Sequence, residues 1–301
     1  MRCAGNGAFA GSLVCLAVAS AFAAALSGMS WGGSAAAPLS FSVSDSSPAQ
    51  GEPVLVEVAA SGPLDRVSVR WKGSEWPLRE VAPGRYEALI GVDLLAPAGP
   101  EALVVETSSG ESRTRGEKIL AVSERRFAVQ ELSLPKSMAE FDAPTLRRIR
   151  EEAKALEERF SRVTRPVLWT LPFLPPVEEY RPANFGSRRV INGEARMPHA
   201  GVDLRLPEGT PVRAIADGVV AFAGEQYFGG RSVVIDHGGG VFSIYYHLKE
   251  NPVVEGQHVS RGESIGAVGS TGRATGPHLH FGVRVPGGRV DPSLLFALPG
   301  K

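Results

Sequence analysis

Between about Pro38 and Arg126 apolar and polar residues alternate in short bursts: "FSVSDSS", "EPVLVEVAAS", "RVSVRW", "RYEALIGV" and "EALVVETSS". Gly, Pro and Ser separate the bursts. Period-two alternation with such punctuation predicts short antiparallel strands, and their succession predicts a small immunoglobulin-like β-sandwich over residues 38–126. The period then changes. In "DAPTLRRIREEAKALEERFSRV" the residues Leu146, Ile149, Ala153, Leu156, Phe160 and Val163 recur every three or four positions. That spacing predicts an amphipathic helix of about five turns, with Asp142 as its N-cap and Pro144 in its first turn. The helix falls in a bridging segment, 127–166, where it either packs on a neighbouring domain or stands as a solvated linker.

From 167 to 301 strand candidates follow one another closely: "PVRAIA", "GVVAFAGE", "SVVIDH", "VFSIYYHL", "ESIGAVGS" and "HLHFGVRV". Glycines supply the turns, and no helix-period stretch interrupts. The expectation is a compact all-β domain, a barrel or sandwich, in a chain that is mainly β.

The N-terminus adds a location. Arg2 is the only charge before Asp45, and it precedes the apolar run Ala8–Leu26. Residues 1–37 are therefore expected to be a signal peptide, or an uncleaved anchor in the inner membrane. Either makes the rest of the chain exported, periplasmic or associated with the cell envelope. A lipoprotein does not fit, because "SLV" precedes Cys15. Both cysteines, Cys3 and Cys15, lie in this run, so the exported part has no thiolate and any metal is held by nitrogen and oxygen. Lys plus Arg and Asp plus Glu both number 32, so net charge implies no general attraction to nucleic acid.

Chemistry concentrates in the last domain, which holds all six histidines. His199 and Asp203 lie in "MPHAGVDL", too rich in Pro and Gly for a helix. Asp203 is flanked by Val202 and Leu204, and a half-buried carboxylate needs a cation or an imidazolium to offset its desolvation. In "GPHLHFGV" His278 and His280 are two apart, so on a strand they project from one face. His199, Asp203 and His280 make a three-ligand set for zinc that leaves a fourth position for water; the plainer alternative is satisfied surface histidines and a capping aspartate. His247 ends the strand "VFSIYYHL", where period two groups it with Val241, Ser243 and Tyr245. It is either an exposed strand end or, with His278, one of two imidazoles flanking a reacting water. His237 in "DHGGG" and His258 in "EGQHVS" read as surface or turn residues. The "HGGG" run lacks a G-x-S-x-G nucleophile elbow, and "HAGVD" is not an H-E-x-x-H helix.

With these residues in place, the chain resembles the lysostaphin-like (LytM-type) zinc metallopeptidases that cut peptidoglycan peptides. The resemblance rests on H-x-x-x-D at His199–Asp203, H-x-H at His278–His280 and Y-x-H-L at Tyr245–Leu248. The supporting pieces are "NFGSRR", "ADGVVAFAG", "VIDHGGG" and "EGQHVSRGESIGAVGSTGRATGPHLHF". It spans residues 183–293 and implies an open antiparallel sheet forming a groove with Zn2+ on its floor. His199, Asp203 and His280 match the metal ligands, His278 the general base and His247 the group stabilising the tetrahedral intermediate. The implied activity is endopeptidase cleavage of peptidoglycan stem or cross-bridge peptides in wall remodelling. Some relatives have lost ligands and act as activators of other wall hydrolases, but this chain keeps all five positions. A departure lies near Arg231, where relatives carry a small polar residue, which bears on substrate preference. A non-catalytic wall-binding activator, with the sandwich as working part, is the alternative. A lipoyl-like carrier is a third reading, disfavoured by the lack of a Met-Lys pair.

Overall fold

The computed structural model describes residues 39–133 and 140–298; the expected signal or anchor segment lies outside the described residues. Strands β1 (Ser40–Val43), β2 (Pro53–Ala59), β3 (Arg66–Trp71), β4 (Ser74–Pro77), β5 (Arg79–Ala82), β6 (Arg85–Gly91), β7 (Gly99–Ser109) and β8 (Ser112–Val122) come first. They form two four-stranded sheets, ordered β1-β2-β6-β5 and β4-β3-β7-β8. Val54, Val56, Val58, Val69, Trp71, Ile90, Leu103 and Leu120 share one core between them.

β2 does not alternate in burial, because both of its faces are covered. Val54, Val56 and Val58 point into the sandwich, whereas Leu55 and its cross-strand partner Leu89 join the core of the following domain. Polar contacts seal the same joint. Arg289 clamps Asp93 bidentately at 2.7 and 2.8 Å, and Arg125 reaches Asp291 at 2.9 Å.

Helix α1 (Ala143–Phe160) has the expected cap: the Asp142 carboxylate accepts from Thr145 N at 2.9 Å. None of its residues is fully buried. It nevertheless packs on the C-terminal sheet through Phe160, whose ring meets Phe242 edge-on at 5.2 Å, and through Arg159, which donates to Ala221 O. Val163 lies beyond its end and is exposed. Upstream, inside the segment expected to bridge, β9 (Val129–Leu132) pairs in parallel with β10 (Arg188–Ile191). β10 turns into β11 (Glu194–Ala195) through Asn192-Gly193, both at positive φ, the two-residue hairpin turn that Asn-Gly favours.

The C-terminal sheet contains β12 (Val202–Leu204), β13 (Pro211–Arg213), β14 (Gly218–Gln226), β15 (Gly230–Asp236), β16 (Phe242–Glu250), β17 (His258–Val259), β18 (Ser264–Val268), β19 (Leu279–Val285) and β20 (Gly288–Val290). Its main path runs β12-β19-β16-β15-β14-β17, with neighbours antiparallel. A short helix, α2 (Pro292–Leu295), follows, which the hydrophobic period did not predict. Beneath the sheet Ile215, Val233, Ile235, Tyr245, Leu279 and Phe281 form the core, and the Tyr245 hydroxyl accepts from Ile215 N.

One expectation holds only in part. His237 stands at the turn after β15, but it is fully buried rather than at the surface. Its Nδ1 donates to Asp217 O at 2.8 Å and its Nε2 accepts from the Ser243 hydroxyl at 2.7 Å. The glycine turn after β15 is covered by residues 164–169, with Leu168 N bonded to the His237 carbonyl. His258 is exposed, as expected.

Candidate metal centre and active site

His280 on β19 sits directly opposite Asp203 on β12 and, on its other side, opposite Tyr246 on β16. Cross-strand partners point to the same face. The Tyr246 ring accordingly stacks on the His280 ring at 5.5 Å, while the next pair along, Tyr245 and Phe281, points into the core. His199 reaches the same spot from the coil before β12. Its backbone is held by Ser187 O and Gly186 N, and its Nδ1 donates to Asn184 O at 2.9 Å. Gly201 permits this approach. A Cβ there would lie 2.5 Å from Phe281 O and 2.8 Å from His280 Nε2, so no side chain fits between the loop and the ring.

The result is a tight triangle. His199 Nε2 lies 2.8 Å from His280 Nδ1 and 3.0 Å from Asp203 Oδ1, and His280 Nδ1 lies 3.1 Å from the same oxygen. Burial opposes ionisation of Asp203. Hydrogen bonds from His199 and His280 and their charge overcome it and hold the carboxyl well below the usual range. Burial lowers His280 to about 4, against the pull of Asp203. The donor set suits a divalent transition metal: two imidazole nitrogens and a carboxylate oxygen, with the ligand atoms within 4.8 Å of one another. A carbonyl only accepts, so the Asn184 contact fixes the proton of His199 on Nδ1 and leaves the Nε2 lone pair for the metal.

Two more imidazoles complete the site. His278, just before β19, donates from Nδ1 to Gly276 O at 2.8 Å, which leaves Nε2 unprotonated and 3.9 Å from Asp203 Oδ1. His247 donates from Nδ1 to Thr271 O at 2.9 Å, and its ring centre lies 4.5 Å from that of His278. Burial is the main cause lowering His247 to about 4.

His247 does not share the face of Tyr245, contrary to simple alternation. Between Arg231↔Leu248 and Val233↔Tyr245, β16 carries two residues, Tyr246 and His247, against the single Ser232 of β15. His247 takes φ +63°, a left-handed conformation that costs a non-glycine residue about 1 kcal/mol or more. This bulge turns the ring out of the core and beside His278, the re-aiming for which β-bulges near active sites are known.

A cavity of about 350 Å3 opens over the cluster, lined by Asp203, His247, His278 and His280 among others. His199 lies beneath, 3% exposed. All five residues singled out in the sequence thus converge. Several lining residues were not singled out in the sequence: Gln130 and Leu132 of β9, and Arg189, Arg205 and Arg273. Arg189 and Arg273 do lie in motif pieces already quoted, "NFGSRR" and the one ending "GRATGPHLHF", whereas "VQEL" on β9 has nothing to mark it.

Residues 197–292 match the model of Peptidase family M23. Those residues hold the whole cluster, and they make up a Peptidase M23 (LytM-type) domain within the chain. The DD-carboxypeptidase/endopeptidase Mpg of Neisseria meningitidis serogroup B is 41% identical over 149 residues, 50% of this chain and 32% of that protein. The peptidoglycan DD-endopeptidase ShyA of Vibrio cholerae is 44% identical over 110 residues, 36% of this chain and 26% of that protein. The chain thus spans about a third or less of the length of these curated relatives. A crystal structure of an M23 peptidase from Pseudomonas aeruginosa superposes with a TM-score of 0.64 at 29% identity, covering 83% of this chain and 95% of that one. At that coverage the likeness extends beyond residues 197–292 into the N-terminal half.

Proposed function

We propose that this protein is an exported, zinc-dependent endopeptidase that hydrolyses peptide bonds in peptidoglycan stem and cross-bridge peptides, foremost the D-alanyl–diaminopimelyl link. The observation that carries the reading is the convergence of the His199–Asp203–His280 triangle with two further imidazoles, each presenting Nε2 to one open cavity. The names of the Neisseria and Vibrio relatives support the substrate class.

His199, Asp203 and His280 are the residues that hold the metal. Zn2+ bound there supplies Lewis acidity toward water and a peptide carbonyl. His278 accepts the proton of the attacking water at Nε2, with its ring oriented by Gly276 O, and passes it to the leaving amine. His247 is the residue that stabilises negative charge on the carbonyl oxygen: its Nε2, taking a proton from solvent in the open cavity as that charge develops, donates a hydrogen bond to the oxygen and returns the proton to solvent when the charge collapses. We read the N-terminal sandwich as immunoglobulin-like, on its strand order, and residues 1–37 as the export signal or anchor.

Purified murein sacculi incubated with the protein should release soluble muropeptides, a chelator should stop the release, and added zinc should restore it. Release that persists under thorough chelation rejects the mechanism. Full zinc occupancy without any release rejects the enzyme and leaves an activator.

A further inference from the structure

The charged lining of the active-site cavity is lopsided. Arg189, Arg205 and Arg273 line it, and Asp203 is the one carboxylate among its described lining residues. Asp203 is already committed to His199 and His280. Its contact with Arg189 spans 3.4 Å, beyond the 2.7–2.9 Å of a strong charge-assisted bond, and Arg189 Nε is buried with no hydrogen-bond partner in reach. Arg273 lies over the face of Phe228 at 4.3 Å. Burial, then the charges of Arg189 and Arg196, pull it below the ordinary arginine value. Arg205 follows β12 at the exposed mouth. Like charges gathered around a partly desolvated cavity repel, and an anion entering the cavity relieves that repulsion.

We propose that Arg189, Arg205 and Arg273 form a carboxylate-binding subsite, which recognises a carboxylate carried by the peptide beside the bond to be cut. A guanidinium presents paired N–H donors that match a carboxylate, so the subsite selects substrate as well as attracting it. The inference rests on the peptidase reading for the identity of the ligand. It also decides between two wall substrates. A diaminopimelate residue next to the scissile amide keeps a carboxylate on its side chain, and one on its backbone where no residue follows, whereas the interior bonds of a glycine bridge have none beside them.

The test has a binding arm and a turnover arm, both with the zinc-loaded full chain. In the His278→Ala background, calorimetry measures D-alanyl-diaminopimelate with free carboxylates, with the backbone carboxylate amidated, and with the side-chain carboxylate amidated. One amidation should weaken binding about tenfold and so name which carboxylate is held. Arg205→Gln and Arg273→Gln should each weaken the free-carboxylate peptide about tenfold, leave the sensitive amide nearly unaffected, and keep zinc content and melting temperature unchanged. With His278 restored, the same variants should raise KM for carboxylate peptides far more than they lower kcat, and Arg205→Lys should recover part of the loss. Equal affinity for carboxylate and amide, or an equal loss for both in the variants, overturns the subsite. Carboxylate selectivity in the binding arm with no peptide cut by the wild type overturns the peptidase reading and leaves the subsite standing.

Discussion

Asp203 and His280 are direct partners across the β12–β19 pair, and their ligand atoms lie 3.1 Å apart although 77 residues separate them in the chain. His278 stands two residues before His280 yet keeps its Nε2 outside that triangle, 3.9 Å from Asp203. That geometry fits the proposed division of work between the two histidines of H-x-H, one for the metal and one for the proton.

That division can be separated experimentally. His280→Ala should lose bound zinc and turnover together, whereas His278→Ala and His247→Ala should keep zinc and lose turnover by about 10²–10⁴-fold. Elemental analysis alongside muropeptide release reads both. Equal zinc loss in His278→Ala and His280→Ala would show that the pair is wrongly assigned.

Gly201 is the steric hinge of the site. Gly201→Ala puts a methyl group against Phe281 O and the His280 ring, so it should cost about 1–3 kcal/mol and weaken zinc binding. Urea denaturation and a competitive zinc chelator measure the two effects. Unchanged values in both would mean that the loop relaxes freely.

The Asp93–Arg289 clamp should hold the sandwich to the peptidase domain. Burial opposes the Asp93 charge, but the Arg289 bonds outweigh it and lower its pKa. A depressed carboxylate stabilises above its unfolded pKa of about 3.9, and that stability fades as pH falls below it. Asp93→Asn should cost about 2 kcal/mol near neutral pH, and calorimetry should show its melting transition broadened or split. A single unshifted transition counts against the clamp.

Buried His237 sets an acid limit. Burial, the leading cause, lowers it to about 4, whereas the unfolded chain titrates near 6.5. Between those values the unfolded state binds the extra proton, so stability falls as pH drops from about 6.5 to about 4. His237→Gln should flatten that slope in urea titrations at pH 7.5 and 5. A parallel slope in wild type and variant would place the acid sensitivity elsewhere.

Much of this was legible in the sequence for a local reason. Alternation survives wherever one sheet face meets a core, so β1 could be read from the "FSVSDSS" burst, and Asp142 with Pro144 marks the start of α1 because caps act within one turn. The five candidate residues that the structure brings together could be picked out because metal and proton chemistry admits few residue types. What was not legible was non-local. β2 was read as a strand, but nothing in it shows that Leu55 is buried in the core beneath the C-terminal sheet. His237 looks like a turn residue until residues 164–169 cover it. His247 is turned to the site only because β16 carries one residue more than β15, a mismatch that exists between strands and not within either. The strand "VQEL" reaches the cavity rim through pairing with Arg188–Ile191, more than fifty residues on. Residue chemistry and short-range period are written in the chain itself. Register, bulges and the gathering of three arginines depend on which distant segments lie side by side, and only packing of the whole settles that.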